Sequence, residues 1–490
     1  MYMSFAANTG RLSIVFTFVF VIQTVADQGV PNWSQWRGPN FTGEAAPASK
    51  PPIEWSEDKN IKWKQEIPGH GHSTPIIWGD RIYLQAAIPM PGDEKSDEDE
   101  KDDAEDRADA SDRDGDRDQP RASGRRPGRE ERDGERREGR RGRRGRGRGR
   151  GAEKPTTTYQ FVVMALDRKT GKPVWQKTVR EQIPHEGSHP DGSLAPASPA
   201  TDGQHLYAHF GSRGLYCLNM ENGDVLWEKD LGDMQTRNGF GEGSSPALHG
   251  DSVVINWDHE GDSFIVALDK KSGKELWRRD RDESTTWTTP LIIEDGGKVL
   301  AVVPAANRIR AYDLKDGNVV WECGGLGQNC APTPVANEKI LLTMTGWRDP
   351  SLVAIRYRGA EGDITDSERV AWKLDGKTPY VPSPLLINDI VYFLQRNNGI
   401  LSCHDAESGK PLYDQQRLEK ITGIYASPVA ANGHVYIVGR NGVTYVLKHG
   451  PEFKVVTTNE LNDEFNASPA IVGNDIFLRG TKFLWCIGAK

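Results

Sequence analysis

The chain is short of the features that mark most chemistries. Its 490 residues hold five cysteines, with no CxxCH, no CxxC and no two adjacent. That excludes covalent c-type haem attachment and a thioredoxin-like redox pair. There is no GxSxG elbow, no Walker loop and no zinc-protease motif, so no catalytic constellation can be assigned. Long apolar runs are also missing, apart from LSIVFTFVFVI after Arg11. This run is shorter than the roughly 20 residues a membrane span needs. With Arg11 before it and QTVADQ after it, residues 1–26 read as a signal peptide cleaved after Ala26. An uncleaved anchor is the alternative, and no other stretch could form a transmembrane span. The mature protein is therefore expected to be exported, in the periplasm, the cell envelope or the medium.

What the chain does have is a repeat. Gly241 to Asp280 reads as four short strands, SSPALHG, SVVINWD, FIVALD and ELWRRD. Gly, Asp and Ser punctuate them at strand length, which excludes a helical reading. The same unit starts eight times on Ser or Thr followed by Pro, at Pro75, Pro199, Pro246, Pro290, Pro334, Pro384, Pro428 and Pro469. Beyond the first interval the starts lie 41 to 50 residues apart, the period of four-stranded propeller blades. A D-x-x-x-G-x-x-x-W turn recurs, ending on Trp175, Trp227 (where Asn219 replaces the Asp), Trp277, Trp321 and, with Tyr for Trp, Tyr413. The fold class is therefore all-β, an eight-bladed propeller over residues 60–490. The repeated Trp is assigned to packing between blades.

The last unit supplies three strands before the chain ends. Asn60 to Ile67, NIKWKQEI, resembles a fourth, with Trp63 at the repeat's Trp position. Adding it to the last blade would close the ring and leave no open edge. Residues 27–59 before it form an extended segment, whose Trp33 and Trp36 are expected to pack on the outside or on one face, with a ligand-stacking role as the alternative. The first blade is interrupted at 91–157 by an acidic block followed by an arginine-glycine block. Almost without apolar residues, it is expected to be disordered. It reads as a solvated insertion or as an arm whose Arg-Gly part, within 121–150, meets an anionic surface. Export makes nucleic acid the least fitting such surface. Lying between second and third strands, the insert leaves on the face that carries the blade-to-blade connections. The net charge of -8 conceals these two opposed blocks and names no partner.

Cys217, Cys403 and Cys486 share the third-strand position and read as small buried hydrophobes. Cys323 and Cys330 flank GGLGQN and could close a short disulfide loop. Propellers bind ligands where the connections between blades converge. The candidates there are His70, His72, His185, Glu186, His189, Asp191, Arg237, Asn238 and Trp287. The His and Asp among them are metal-ligand types, though their loop spacing is a weak signal and no metal is assigned. The Ser or Thr before each Pro either forms a hydroxyl ring near the channel or satisfies local backbone at the strand entry.

The blade starts, the D-x-x-x-G-x-x-x-W hairpins, QWRGP and GHGHSTPIIWGDRIYL together resemble the pyrroloquinoline-quinone-like β-propeller repeat family. The likeness covers nearly all of the chain except the signal and the insert. It implies the propeller fold and two kinds of role. Quinoprotein dehydrogenases hold the quinone between a Trp and a disulfide of adjacent cysteines, with Ca²⁺ on Glu and Asn and an Asp as base. Propeller lipoproteins of outer-membrane β-barrel assembly bind protein and no cofactor. This chain has no adjacent cysteine pair, offers no residue-by-residue match to the calcium ligands or base, and carries Asp27 where a lipoprotein carries its lipidated Cys. The expectation is a monomeric, non-enzymatic binding or scaffolding module without a cofactor, engaging a protein or other envelope component at the funnel face. A quinone- or metal-dependent oxidoreductase, using pyrroloquinoline quinone with Ca²⁺, is the competing reading.

Overall fold

The structure, a computed structural model, describes residues 32–90 and 152–489. The expected signal peptide and residues 91–151 of the charged insert lie outside the described residues. Eight sheets follow one another along the chain. In blade 3 the strands are Ala247–His249, Ser252–Trp257, Ser263–Asp269 and Glu275–Arg281, paired antiparallel in sequence order. Burial explains the order of composition: the two middle strands are buried almost throughout, whereas the outer strand alternates with solvent. Blade 4 departs from four strands. Gly362–Asp363, from the long blade 5 hairpin, adds a fifth in parallel beside Val319–Gly324.

Ring closure is as the strand count requires. Ile61–Glu66 pairs antiparallel with Phe483–Ile487, so the first and last segments share blade 8. No helix of the described residues is long and apolar enough to cross a membrane.

Two belts join the blades. The outer belt is built by the repeated Trp, which at Trp63, Trp175, Trp227 and Trp277 is laid across the turn glycine of the next blade; Trp321 is buried without such a glycine. Trp227 Nε1 donates to Lys270 O at 3.0 Å, and a Cβ placed on Gly273 would sit 2.7 Å from the Trp227 ring. Gly273 also holds φ +67°, so both space and backbone require glycine there. Trp372 makes the same contact with Ala406 O and Gly409. The repeat had hidden it, because the extra strand lengthens that hairpin.

The inner belt is the set of hydroxyls before each Pro. At seven junctions the backbone N–H of one blade's Ser or Thr donates to the hydroxyl of the next, at 2.9 to 3.1 Å, from Thr74 to Ser198 and on around to Ser468. The hydroxyls therefore serve backbone, but that of the neighbouring blade, not the local strand entry. They form the ring as well, since both demands are met by the same geometry. At the remaining junction the buried Arg479 of blade 8 donates to Ser73 and to Gln85 O of blade 1. Ser245→Ala would leave the buried Ser198 N–H without a partner, a cost of about 1–3 kcal/mol. Ser245→Thr should be close to neutral, because Thr289 and Thr333 hold equivalent places. Urea midpoints of the two variants check this.

The N-terminal segment does not lie on the outside. Trp33 pairs with Ile77 of the blade 1 inner strand, Thr201 N of blade 2 donates to Ser34 O, and Glu44 bridges to Ala430 of blade 7. Residues 33–45 thus enter the central channel and are held by inner strands. At the turn of this plug, the Arg37 guanidinium donates to Phe41 O, Thr42 O and, at 2.7 Å, Pro384 O of blade 6. Buried carbonyls need donors, so a cation with several suits the place.

All five cysteines are free and buried. Cys323 lies in the blade 4 outer strand opposite Ile309, and the Cys330 thiol donates to Gly327 O. The short disulfide loop is therefore not formed; each sulfur fills its own packing site.

Candidate functional site

Inside the hydroxyl belt lies a cavity of about 250 Å³. The repeat sets its wall. The residue two before the hydroxyl lines it in every blade: His72, Pro196, Gly243, Trp287, Ala331, Val381, Tyr425 and Asn466. Because the belt fixes each hydroxyl, this position is fixed too, and its side chain varies freely from blade to blade. Phe240, Tyr380, His189 and Asp191 add to the wall, and Trp36 reaches in from the plug.

Of the residues expected at the funnel, His72, His189, Asp191 and Trp287 line the cavity. Arg237 and Asn238 line an adjoining cleft that shares His189, Phe240 and Tyr380 with it. His70 and His185 are not brought in. His70 is exposed and bridges through its backbone to Ala87, while His185 Nε2 bonds Met234 O at 2.7 Å. Glu186 accepts from the Thr236 N–H and hydroxyl. Trp36 was expected to pack, with ligand stacking as the alternative; Phe240, Tyr380, Tyr425 and Asn466 were missed. Aligning the repeats on their hydroxyls would have found Tyr425 and Asn466; the others stand at no repeated position.

The charges at the site are compensated. Asp191 accepts from the Tyr425 hydroxyl at 2.7 Å and lies 3.0 Å from the Arg440 guanidinium, which stacks over the Tyr425 ring. Burial pushes its carboxyl up; the Tyr425 hydrogen bond and the Arg440 charge outweigh this and hold it below its ordinary value. Glu242 accepts from Ser212 and pairs with Arg213 at 2.9 Å. Burial, with help from Arg479 and Arg440, lowers His72 to about 3, so it is a neutral imidazole at physiological pH. His189 Nδ1 accepts the Asp191 N–H, which makes this ring neutral as well; burial lowers it in the same sense.

These donors do not fit a calcium and quinone pair. Both carboxylates at the cavity are already taken by arginines. Among the described residues no group of three or more His, Cys, Asp or Glu is placed to hold a metal ion. What remains is a set of aromatic faces, neutral imidazoles and an amide, suited to holding a ligand.

Residues 159–415 match the family described as outer membrane protein assembly factor BamB. The Yersinia pestis protein of that name is 21% identical over 332 residues, covering 65% of this chain and 77% of that protein. A lanthanide-dependent methanol dehydrogenase of Methylacidiphilum fumariolicum is 30% identical over 161 residues, 30% of this chain and 24% of the enzyme. Among solved structures, the quinohemoprotein alcohol dehydrogenase of Comamonas testosteroni covers 95% of this chain and 82% of its own at a TM-score of 0.59 and 11% identity. At that identity the likeness speaks for the propeller alone.

Proposed function

From the premise that the chain belongs to the pyrroloquinoline-quinone-like propeller family described by the outer membrane protein assembly factor BamB, we propose that it is an exported binding module of the cell envelope. Its ligand is held in the funnel cavity, and it carries out no reaction there. The observation that carries this reading is the pairing of every carboxylate at the cavity with an arginine, Asp191 with Arg440 and Glu242 with Arg213. A general base or a metal ligand needs a carboxylate with capacity to spare. The aromatic lining supports binding instead, because a preformed apolar cavity with few fixed polar groups loses little on taking up a ligand. Several relatives are named for outer membrane protein assembly, which supports an envelope partner. The dehydrogenase relatives support the competing reading, a quinoprotein oxidoreductase.

Two measurements on the full chain test the proposal. Titration with pyrroloquinoline quinone and Ca²⁺ should give no saturable absorbance change and no rise in melting temperature. Affinity capture from a cell-envelope extract should retain a component that is lost with Trp287→Ala/Tyr425→Ala. Saturable quinone binding that raises the melting temperature, or capture indifferent to both substitutions, would overturn it.

A further inference from the structure

We propose that the cavity and its adjoining cleft take the neutral end of a carbohydrate chain; this rests on the binding role proposed above and names its ligand class. The cleft measures about 460 Å³ and opens beside the cavity. On its rim stands Trp347, 42% exposed and the only aromatic residue among the large exposed hydrophobics of the described chain. One face of its indole is stacked on Tyr380, with ring centroids 5.3 Å apart and planes 27° apart. Such a ring, backed on one side and wet on the other, is a platform.

The groups around it are planar and polar. The Arg237 guanidinium donates to Gln328 Oε1 at 2.8 Å and to Asn329 Oδ1 at 3.4 Å, and the Asn329 amide donates to the Tyr380 hydroxyl. These bonds lock the amides in place while leaving part of their donor and acceptor capacity unused. Pyranose chemistry matches this arrangement. One face of the sugar ring presents C–H groups, which suit the negative face of an indole. Its rim presents hydroxyls, each both donor and acceptor, which suit fixed amides.

Backbone conformation supports the assignment independently. Asn238, Asn329 and Arg348, all lining the cleft, have positive φ, between 33° and 61°. Three non-glycine residues held in this region around one cleft are costly, and such strain is kept where a site must be shaped.

Charge decides between a glycan and a peptide. Of the charged groups lining the cavity and cleft, Arg237 is paired with Glu260 at 3.4 Å, Asp191 with Arg440 at 3.0 Å and Glu242 with Arg213 at 2.9 Å, while Arg348 stands at the rim of the cleft, outside the cavity. With Trp36 in its wall and the plug in the channel below, the cavity ends blind, so a polymer must enter by its end. A peptide end carries a charge that no unpaired group lining the cavity can meet; the non-reducing end of a neutral glycan carries none.

The test uses the full chain and four neutral trisaccharides, cellotriose, maltotriose, laminaritriose and triacetylchitotriose, followed by calorimetry and tryptophan fluorescence. At least one should bind saturably with Kd of about 1 mM or tighter. Trp347→Ala should weaken it roughly tenfold or more. Its melting temperature should stay unchanged, since the side chain is exposed, which separates lost binding from lost folding. Saturation by none of the four up to about 10 mM overturns the inference. So does Trp347-dependent binding of a proline-rich decapeptide in their place. In either case, envelope capture that still depends on Trp287 and Tyr425 would leave the binding role standing, so the two failures are distinguishable.

Discussion

Deleting Asn60 to Ile67 is expected to lower the melting temperature by about 10 °C or more. The segment supplies the outer strand of blade 8 and pairs along Phe483–Ile487. Without it, that strand becomes an open edge carrying unpaired N–H and C=O groups. The buried Ile67 and the Trp63 ring are lost as well; Trp63 Nε1 donates to Arg168 O of blade 1, so the outer belt breaks at the same junction. Burial of side chains of this size stabilises by about 1.5–3 kcal/mol each, and the ladder adds to it. Trp63→Ala, which keeps the strand, should show only part of the effect. Hydrogen exchange should place the deletion's damage in Phe483–Ile487 and its neighbours. An unchanged melt would mean that the ring does not depend on this strand.

The second large effect belongs to Arg37. Burial pushes its guanidinium down to about 9, so holding a charge in the channel is costly. Three carbonyls offset that cost, and one of them, Pro384 O, belongs to blade 6. Arg37→Ala removes the fork, strands the carbonyls and leaves a void, a loss of about 3 kcal/mol. Arg37→Lys should recover little of it, because an ammonium cannot reach carbonyls on two sides as the planar fork does. Since Trp36 precedes it, both variants should also alter the fluorescence of the cavity. Thermal melts followed by tryptophan emission read the two consequences together.

How much of this could be read in the chain depends on whether a feature repeats. Blade number, strand order, ring closure and the docking role of Trp175, Trp227 and Trp277 are all periodic, and each was legible. The hydroxyls were visible too, but their bonds run between blades, and sequence offers no measure of which backbone group lies nearest in space. The plug was expected on the outside or on one face, because QWRGP has no repeated counterpart to locate it; what fixes it in the channel is Arg37 meeting a carbonyl from blade 6. His70 and His72 show the limit at the site. They are two residues apart, yet one faces solvent and the other the cavity, because only His72 stands two positions before a belt hydroxyl.

The plug also dictates an order of assembly. Residues 33–45 are among the first that the chain offers, but Pro384 O and Ala430, which hold them, exist only after most of the propeller has been made. Contacts so distant in sequence form late. Phe41, buried in the finished structure among residues of blades 3 to 5, stays uncovered until those blades are laid down. The ring therefore shuts around a tenant that arrived before its walls. The cavity that Trp36 enters takes one lining residue from every blade, so its wall is complete only when the whole circle is.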